Sequence, residues 1–125
     1  MKELSLSSVK ADGFSILVSL DRGELRAKFV GNGGMDATPI LGDYLKRLHA
    51  EACRLAVAEV VVDFSDLYFM NSSCFKCFAS WLSTNMKLGA ASYGVRFVTN
   101  AQLHWQKRSL EALQCFAPQL VQIEG

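Results

Sequence analysis

The apolar-rich run over residues 14–20 predicts a strand, and residues 25–30 alternate apolar and polar as a half-buried strand should. Asp21-Arg22-Gly23-Glu24 between them has turn chemistry, so the pair reads as a hairpin. Gly31-Asn32-Gly33-Gly34 follows, with three glycines in four residues, and is expected to be a loop. The period then becomes helical. Leu41, Tyr44, Leu45, Leu48, Ala52 and Leu55 recur on one face, while Asp43, Lys46, Arg47 and Glu51 take the wet side. Thr38 as cap and Pro39 at the first helical position mark the start of that helix.

The middle of the chain, Val60-Val61-Val62-Asp63-Phe64-Ser65-Asp66-Leu67-Tyr68-Phe69-Met70-Asn71-Ser72-Ser73-Cys74, organises the rest. Its β-branched run predicts a central parallel strand covered on both faces, followed by a short turn. Asn71-Ser72-Ser73 is a cluster of cap formers, and a helix is expected from Ser73 to about Lys87. Its stripe is Cys74, Cys77, Phe78, Trp81, Leu82 and Leu88, widened by Phe75, and Gly89 is a stop. Residues 95–98 form another strand. Thr99-Asn100 is expected to cap a third helix that buries Leu103, Leu110, Leu113 and Phe116; Pro118 ends it, and residues 120–123 are a last strand. Residues 1–13 read as an N-terminal arm or irregular start and 14–125 as one domain. The order β-β-α-β-α-β-α-β predicts the α/β class: a mixed, mostly parallel sheet with helices packed on it through right-handed crossovers.

Composition narrows the function classes. A chain of 125 residues fits one domain, and half apolar with a fifth charged is a folding composition. The net charge of +1 gives no general attraction to nucleic acid or anionic membrane. Lys107-Arg108 is the densest basic spot and falls far short of a binding stripe. No stretch approaches the roughly 20 apolar residues of a membrane span, and Met1-Lys2-Glu3-Leu4 lacks the plan of a signal peptide, so a cytoplasmic protein is expected. Cys53, Cys74, Cys77 and Cys115 all sit in apolar periodic segments, as reduced, buried thiols would.

The candidate chemistry centres on Ser72. One reading makes Asn71-Ser72-Ser73 an ordinary helix cap. The other exposes Ser72 for phosphorylation, which would add close to two negative charges where a partner reads the surface. A nucleophilic serine needs a base, and His49 and His104 both read as partly buried helix residues outside any Gly-x-Ser-x-Gly elbow. Cys74-Phe75-Lys76-Cys77 has the C-x-x-C spacing of a redox thiol at a helix start, but too little chain follows for a thioredoxin-like sheet. As a zinc half-site it lacks a second ligand pair at usable spacing. Trp81 and Trp105 read as packing residues, and Asn32-Gly33-Gly34 is a weak candidate for a phosphate-holding nest. No cofactor or metal is expected.

The element order and the central segment resemble the STAS domain, the fold of bacterial anti-sigma factor antagonists. That family runs an apolar strand, Asp-Leu-Ser, a few residues, then Asp-Ser-Ser/Ala-Gly opening a helix. Asp63-Phe64-Ser65 and Asn71-Ser72-Ser73-Cys74 are similar to those two motifs, and Gly34-Met35-Asp36-Ala37 is similar to a Gly-x-Leu-Asp-Ala stretch before the first helix. The resemblance covers residues 14–123. It implies a non-enzymatic regulatory protein, phosphorylated at Ser72 (Ser73 is the second choice) by an anti-sigma factor-type serine kinase, with a phosphatase reversing it. It implies a partner surface of Asp36, Asn71, Ser72, Ser73, Phe75 and Lys76, on a monomer or weak dimer. Asn71 stands where the family has aspartate and Cys74 where it has glycine. Asn-Ser-Ser followed by lysine also resembles a related group of phosphoproteins whose partner is another signalling enzyme. The alternatives are a STAS scaffold or assembly subunit without a phospho-switch, and a thiol redox protein using Cys74 and Cys77.

Overall fold

In a computed structural model, which describes residues 3–124, the elements are β1 (Val9–Ala11), β2 (Phe14–Asp21), β3 (Glu24–Gly33), α1 (Ala37–Leu55), β4 (Glu59–Met70), α2 (Ser72–Met86), β5 (Gly94–Val98), α3 (His104–Phe116) and β6 (Val121–Glu124). Met1, Lys2 and Gly125, the outer limits of the arm and domain read from the sequence, lie outside the described residues. Between β2 and β3 the chain reverses through Arg22 at φ 52° and Gly23 at φ 79°. Two successive positive φ values make the turn whose twist matches a hairpin. Strand order follows chain order; β1, β2 and β3 pair antiparallel, and β3 to β6 pair parallel. The short strand β1 is an addition to the elements read from the pattern.

All three helices lie on one face of the sheet and feed a single apolar cluster. At its centre Phe78 of α2 meets Phe29, Phe64 and Phe97 of three neighbouring strands edge-on, with ring centroids 5.3–6.3 Å apart. Such geometry adds to what area burial alone supplies. The central strand is therefore not covered by helices on both faces, as its β-branched run led one to expect. Val61, on the open face, is registered between Arg26 and Arg96. Arg96 pairs with Glu24 and Glu59 at 3.1 Å each and also with Glu124. Aliphatic stems of paired arginines bury Val61 as a helix would.

Two other expectations are corrected near the site. Gly31-Asn32-Gly33 is not loop but the end of β3, paired with Leu67, Phe69 and Met70 of β4. Its glycines serve close backbone approach. A Cβ on Gly31, at φ 103°, would meet the Gly13 carbonyl oxygen at 2.2 Å. The short turn expected between the central strand and the helix start is likewise absent, because β4 continues to Met70. It absorbs its extra length in two register shifts against β3, beside which Asp63 Oδ1 accepts from the Ser65 N–H at 2.8 Å.

The helix starts also differ. Asp36, not Thr38, flanks α1, with no side-chain cap bond, and Thr38 Oγ1 turns inward to the Gly34 carbonyl at 3.5 Å. Leu103 flanks α3, while Asn100 Oδ1 forms a local turn with the Gln102 N–H at 2.9 Å. His104 is thereby exposed at the first position of α3, and Phe116 is exposed at its end because that residue lies past the covered stripe. Cys53 and Cys115 are exposed on the outer flanks of α1 and α3, against the expectation of four buried thiols.

Candidate functional site

The C-terminal ends of β3 and β4 meet the starts of α1 and α2 in one corner. The Asn71 N–H donates to the Gly33 carbonyl at 2.8 Å, so strand β4 hands over to α2 while still bonded to β3. Asn71 is extended (φ −79°, ψ 172°), and its Oδ1 accepts from the Cys74 N–H at 2.8 Å. The cap is thus an amide. Ser72 and Ser73, the next two residues, are exposed, and neither hydroxyl is used to cap the helix. Both stand at the positive end of a 15-residue helix with no acidic side chain in its first turn.

Cys74 brings a Cβ and a sulfur to a position where the family resemblance has glycine, and a pocket of glycines receives it. The side chain is fully buried, its thiol donates to the Gly33 carbonyl at 3.4 Å, and Thr38 Oγ1 lies 3.4 Å from the sulfur. A Cβ on Gly33 would approach the Phe69 carbonyl oxygen at 3.2 Å and this sulfur at 3.6 Å. Cys77 is half-buried, and burial, then the neighbouring Cys74, push its thiol pKa up. Cys74 has no solvent access and the Cys77 thiol is pushed up in pKa, whereas a redox thiol needs access and thiolate character. The Asn32 N–H is spent on the Gly13 carbonyl at 2.8 Å, so the glycine stretch does not form an anion-holding nest. Among the described residues no group of three or more His, Cys, Asp or Glu could hold a metal.

The corner brings together most of the residues singled out from the sequence. Asp36 is exposed at the start of α1 and Asn71, Ser72 and Ser73 form the start of α2. Lys76 is exposed one turn into α2, and Phe75 is half-buried against the core. Three apolar side chains are exposed at the same end: Met35 (84%), Tyr68 (56%) and Phe69 (50%). His49 is elsewhere, 2.7 Å from the Tyr93 hydroxyl through Nδ1, and its pKa is lowered by burial. His104 belongs to α3.

Three polar residues escaped the sequence reading. Gln106 is fully buried and donates to the carbonyls of Phe64 at 2.6 Å and Leu67 at 2.9 Å, bracing the bulged part of β4. Tyr93 accepts from Trp81 Nε1 at 2.8 Å. Glu51, assigned to the wet side, is buried and accepts from Ser5 N at 2.6 Å and Arg54 Nε at 2.8 Å. A signal existed for two of them. Gln106 is four residues before Leu110, and Glu51 is three after Leu48 and four before Leu55, so both lie on apolar stripes.

No known protein family matches this sequence, and no curated protein is significantly similar to it. A search of solved structures finds likeness to the crystal structure of an anti-sigma factor antagonist from Mycobacterium paratuberculosis. The two are 20% identical, and the match covers 92% of this chain and 88% of that one, with a TM-score of 0.68. The chain has the STAS fold, a six-stranded mixed sheet with three helices packed on it. No described helix is long and apolar enough to cross a membrane.

Proposed function

We propose that this chain is a non-enzymatic regulatory binding protein, engaging a serine kinase of the anti-sigma factor type or another signalling enzyme under control of phosphorylation at Ser72. The observation that carries the reading is the division of labour at the start of α2: Asn71 holds the cap, so the Ser72 hydroxyl is exposed and spare. A phosphate there would carry about −1.5 to −2 charges next to free amides at a helix N-terminus, with Lys76 one turn along. The fold would tolerate it. The cost would fall on a partner that packs against Asp36, Asn71, Ser73, Phe75 and Lys76, through like-charge repulsion or desolvation. Asn71 in place of an aspartate keeps one negative charge away from that phosphate.

Co-purification of the partner with Ser72→Asp and Ser72→Ala chains, with phosphopeptide mapping, tests this. Ser72→Asp should weaken the complex and Ser72→Ala should hold it on. Equal binding by both refutes the switch, and a phosphate mapped to Ser73 moves the site by one residue. The exposed Met35, Tyr68 and Phe69 favour a second reading, an assembly subunit that binds through this apolar surface without modification. In that case Phe69→Ala abolishes binding, while both Ser72 variants bind normally.

A further inference from the structure

Beside the Ser72 corner, with which it shares Lys76, α1 and α2 part to leave a cleft of about 370 Å³. Its apolar surface is given by Leu45, Cys77 and Trp81, with Gly42 on the α1 side. Lys46 of α1 and Lys76 of α2 line it from opposite helices, and no carboxylate lines it. Among the described residues neither lysine has an acidic partner within ion-pair distance; Asp43, the nearest acid in sequence to Lys46, is taken by Arg47 at 3.0 Å. We propose that this cleft binds a small amphipathic carboxylate, its apolar body lying on Leu45, Cys77 and Trp81 and its anionic head meeting Lys46 and Lys76.

Three further observations fit that ligand. The volume is at the small end of the roughly 300–1,000 Å³ typical of small-molecule sites, and the lining spans only about two turns of each helix, too short a seat for a partner helix. Gly42 lies inside α1, where glycine weakens a helix, yet a Cβ there would meet nothing closer than Cys77 Sγ at 3.7 Å. Sterics do not demand a glycine, so its effect is to leave the cleft open. The wall is also fixed. Trp81 Nε1 donates to the Tyr93 hydroxyl, and that hydroxyl's own hydrogen is then free for His49 Nδ1, which puts the imidazole hydrogen on Nε2. The Nε2 side of the ring faces Cys53 Sγ at 3.8 Å, outside the lining, so the cationic groups of the cleft are Lys46 and Lys76. Two lysines without a glycine-rich loop or helix N-terminus suit a monoanion better than a phosphate dianion.

An NMR titration of the intact chain with octanoate, octyl phosphate, octanol and octylamine tests the assignment. Octanoate should give saturable shifts at Gly42, Lys46, Cys77 and Ser80, with octanol and octylamine at least roughly tenfold weaker. Lys46→Glu combined with Lys76→Glu, both at exposed positions, should weaken octanoate by roughly tenfold or more. Gly42→Leu should fill the cleft and abolish saturation in a chain whose spectrum is otherwise intact. The proposal is overturned if octanoate shifts map to Met35, Tyr68 and Phe69 instead, if no shift saturates, or if octylamine binds as well as octanoate. Tighter binding of octyl phosphate overturns the carboxylate class.

Discussion

Two polar anchors fasten this fold at opposite ends of α1, and they do so by different physics. At the Ser72 corner the anchor is neutral. Asn71 uses its N–H, its backbone carbonyl and its side-chain oxygen, bonding Gly33, Phe75 and Cys74. Near the other end of α1 the anchor is charged. The Glu51 carboxylate ties the N-terminal segment down through Ser5 and Leu6, and Arg54 beside it holds its pKa down to about 2. The difference matters for function. A neutral anchor leaves the positive end of α2 uncompensated, so a negative group can be added without first displacing another. A charged anchor is strong but answers to pH.

The comparison breaks most visibly at the charged end. Glu51→Ala should cost about 2–3 kcal/mol in chemical denaturation, because it leaves the Ser5 and Leu6 N–H groups without their acceptor and removes the ion pair to Arg54. Asn71→Ala should cost about 1–2 kcal/mol, the usual price of a helix cap, and Asn71→Asp should restore it, since the acceptor survives. A full loss on Asn71→Asp would show that the corner depends on the amide rather than on any acceptor.

Acid should separate the two anchors. The folded pKa of Glu51 lies below its unfolded value of 4.5, so its contribution is complete above pH 4.5 and fades as pH falls toward about 2. Wild type should lose about 2 kcal/mol between pH 6 and 3 that a Glu51→Gln chain does not lose, whereas Asn71→Ala should show the wild-type slope. The smallest effect is expected at Ser72. Ser72→Asp should raise stability by about 0.3–1 kcal/mol at low ionic strength and less in salt, with Ser72→Ala near zero. Destabilisation by Ser72→Asp would mean that the hydroxyl is not spare.

Much of the site was legible because capping and turn chemistry are local. Asn71-Ser72-Ser73 announced a helix start after a strand, and Asp21-Arg22-Gly23-Glu24 announced the hairpin. Which of the three cap formers caps was not legible, since that depends on where β4 ends, and β4 ends where β3 stops pairing with it. The same dependence turned Gly31-Asn32-Gly33 from an expected loop into strand. Glu51 and Gln106 were misread or missed because their partners lie 46 and 42 residues away.

The sequence alone determined the order and kind of the elements from β2 onward, most of the face each helix buries, and an exposed serine at the head of α2. Those follow from interactions spanning a few residues, which composition and period record. Tertiary structure alone decided that helices cover one face of the sheet, that Cys74 fits among glycines, and that a cleft opens between α1 and α2. Each of these is set by the approach of segments distant in the chain, and close packing makes such approaches depend on shape, which a one-dimensional pattern does not carry.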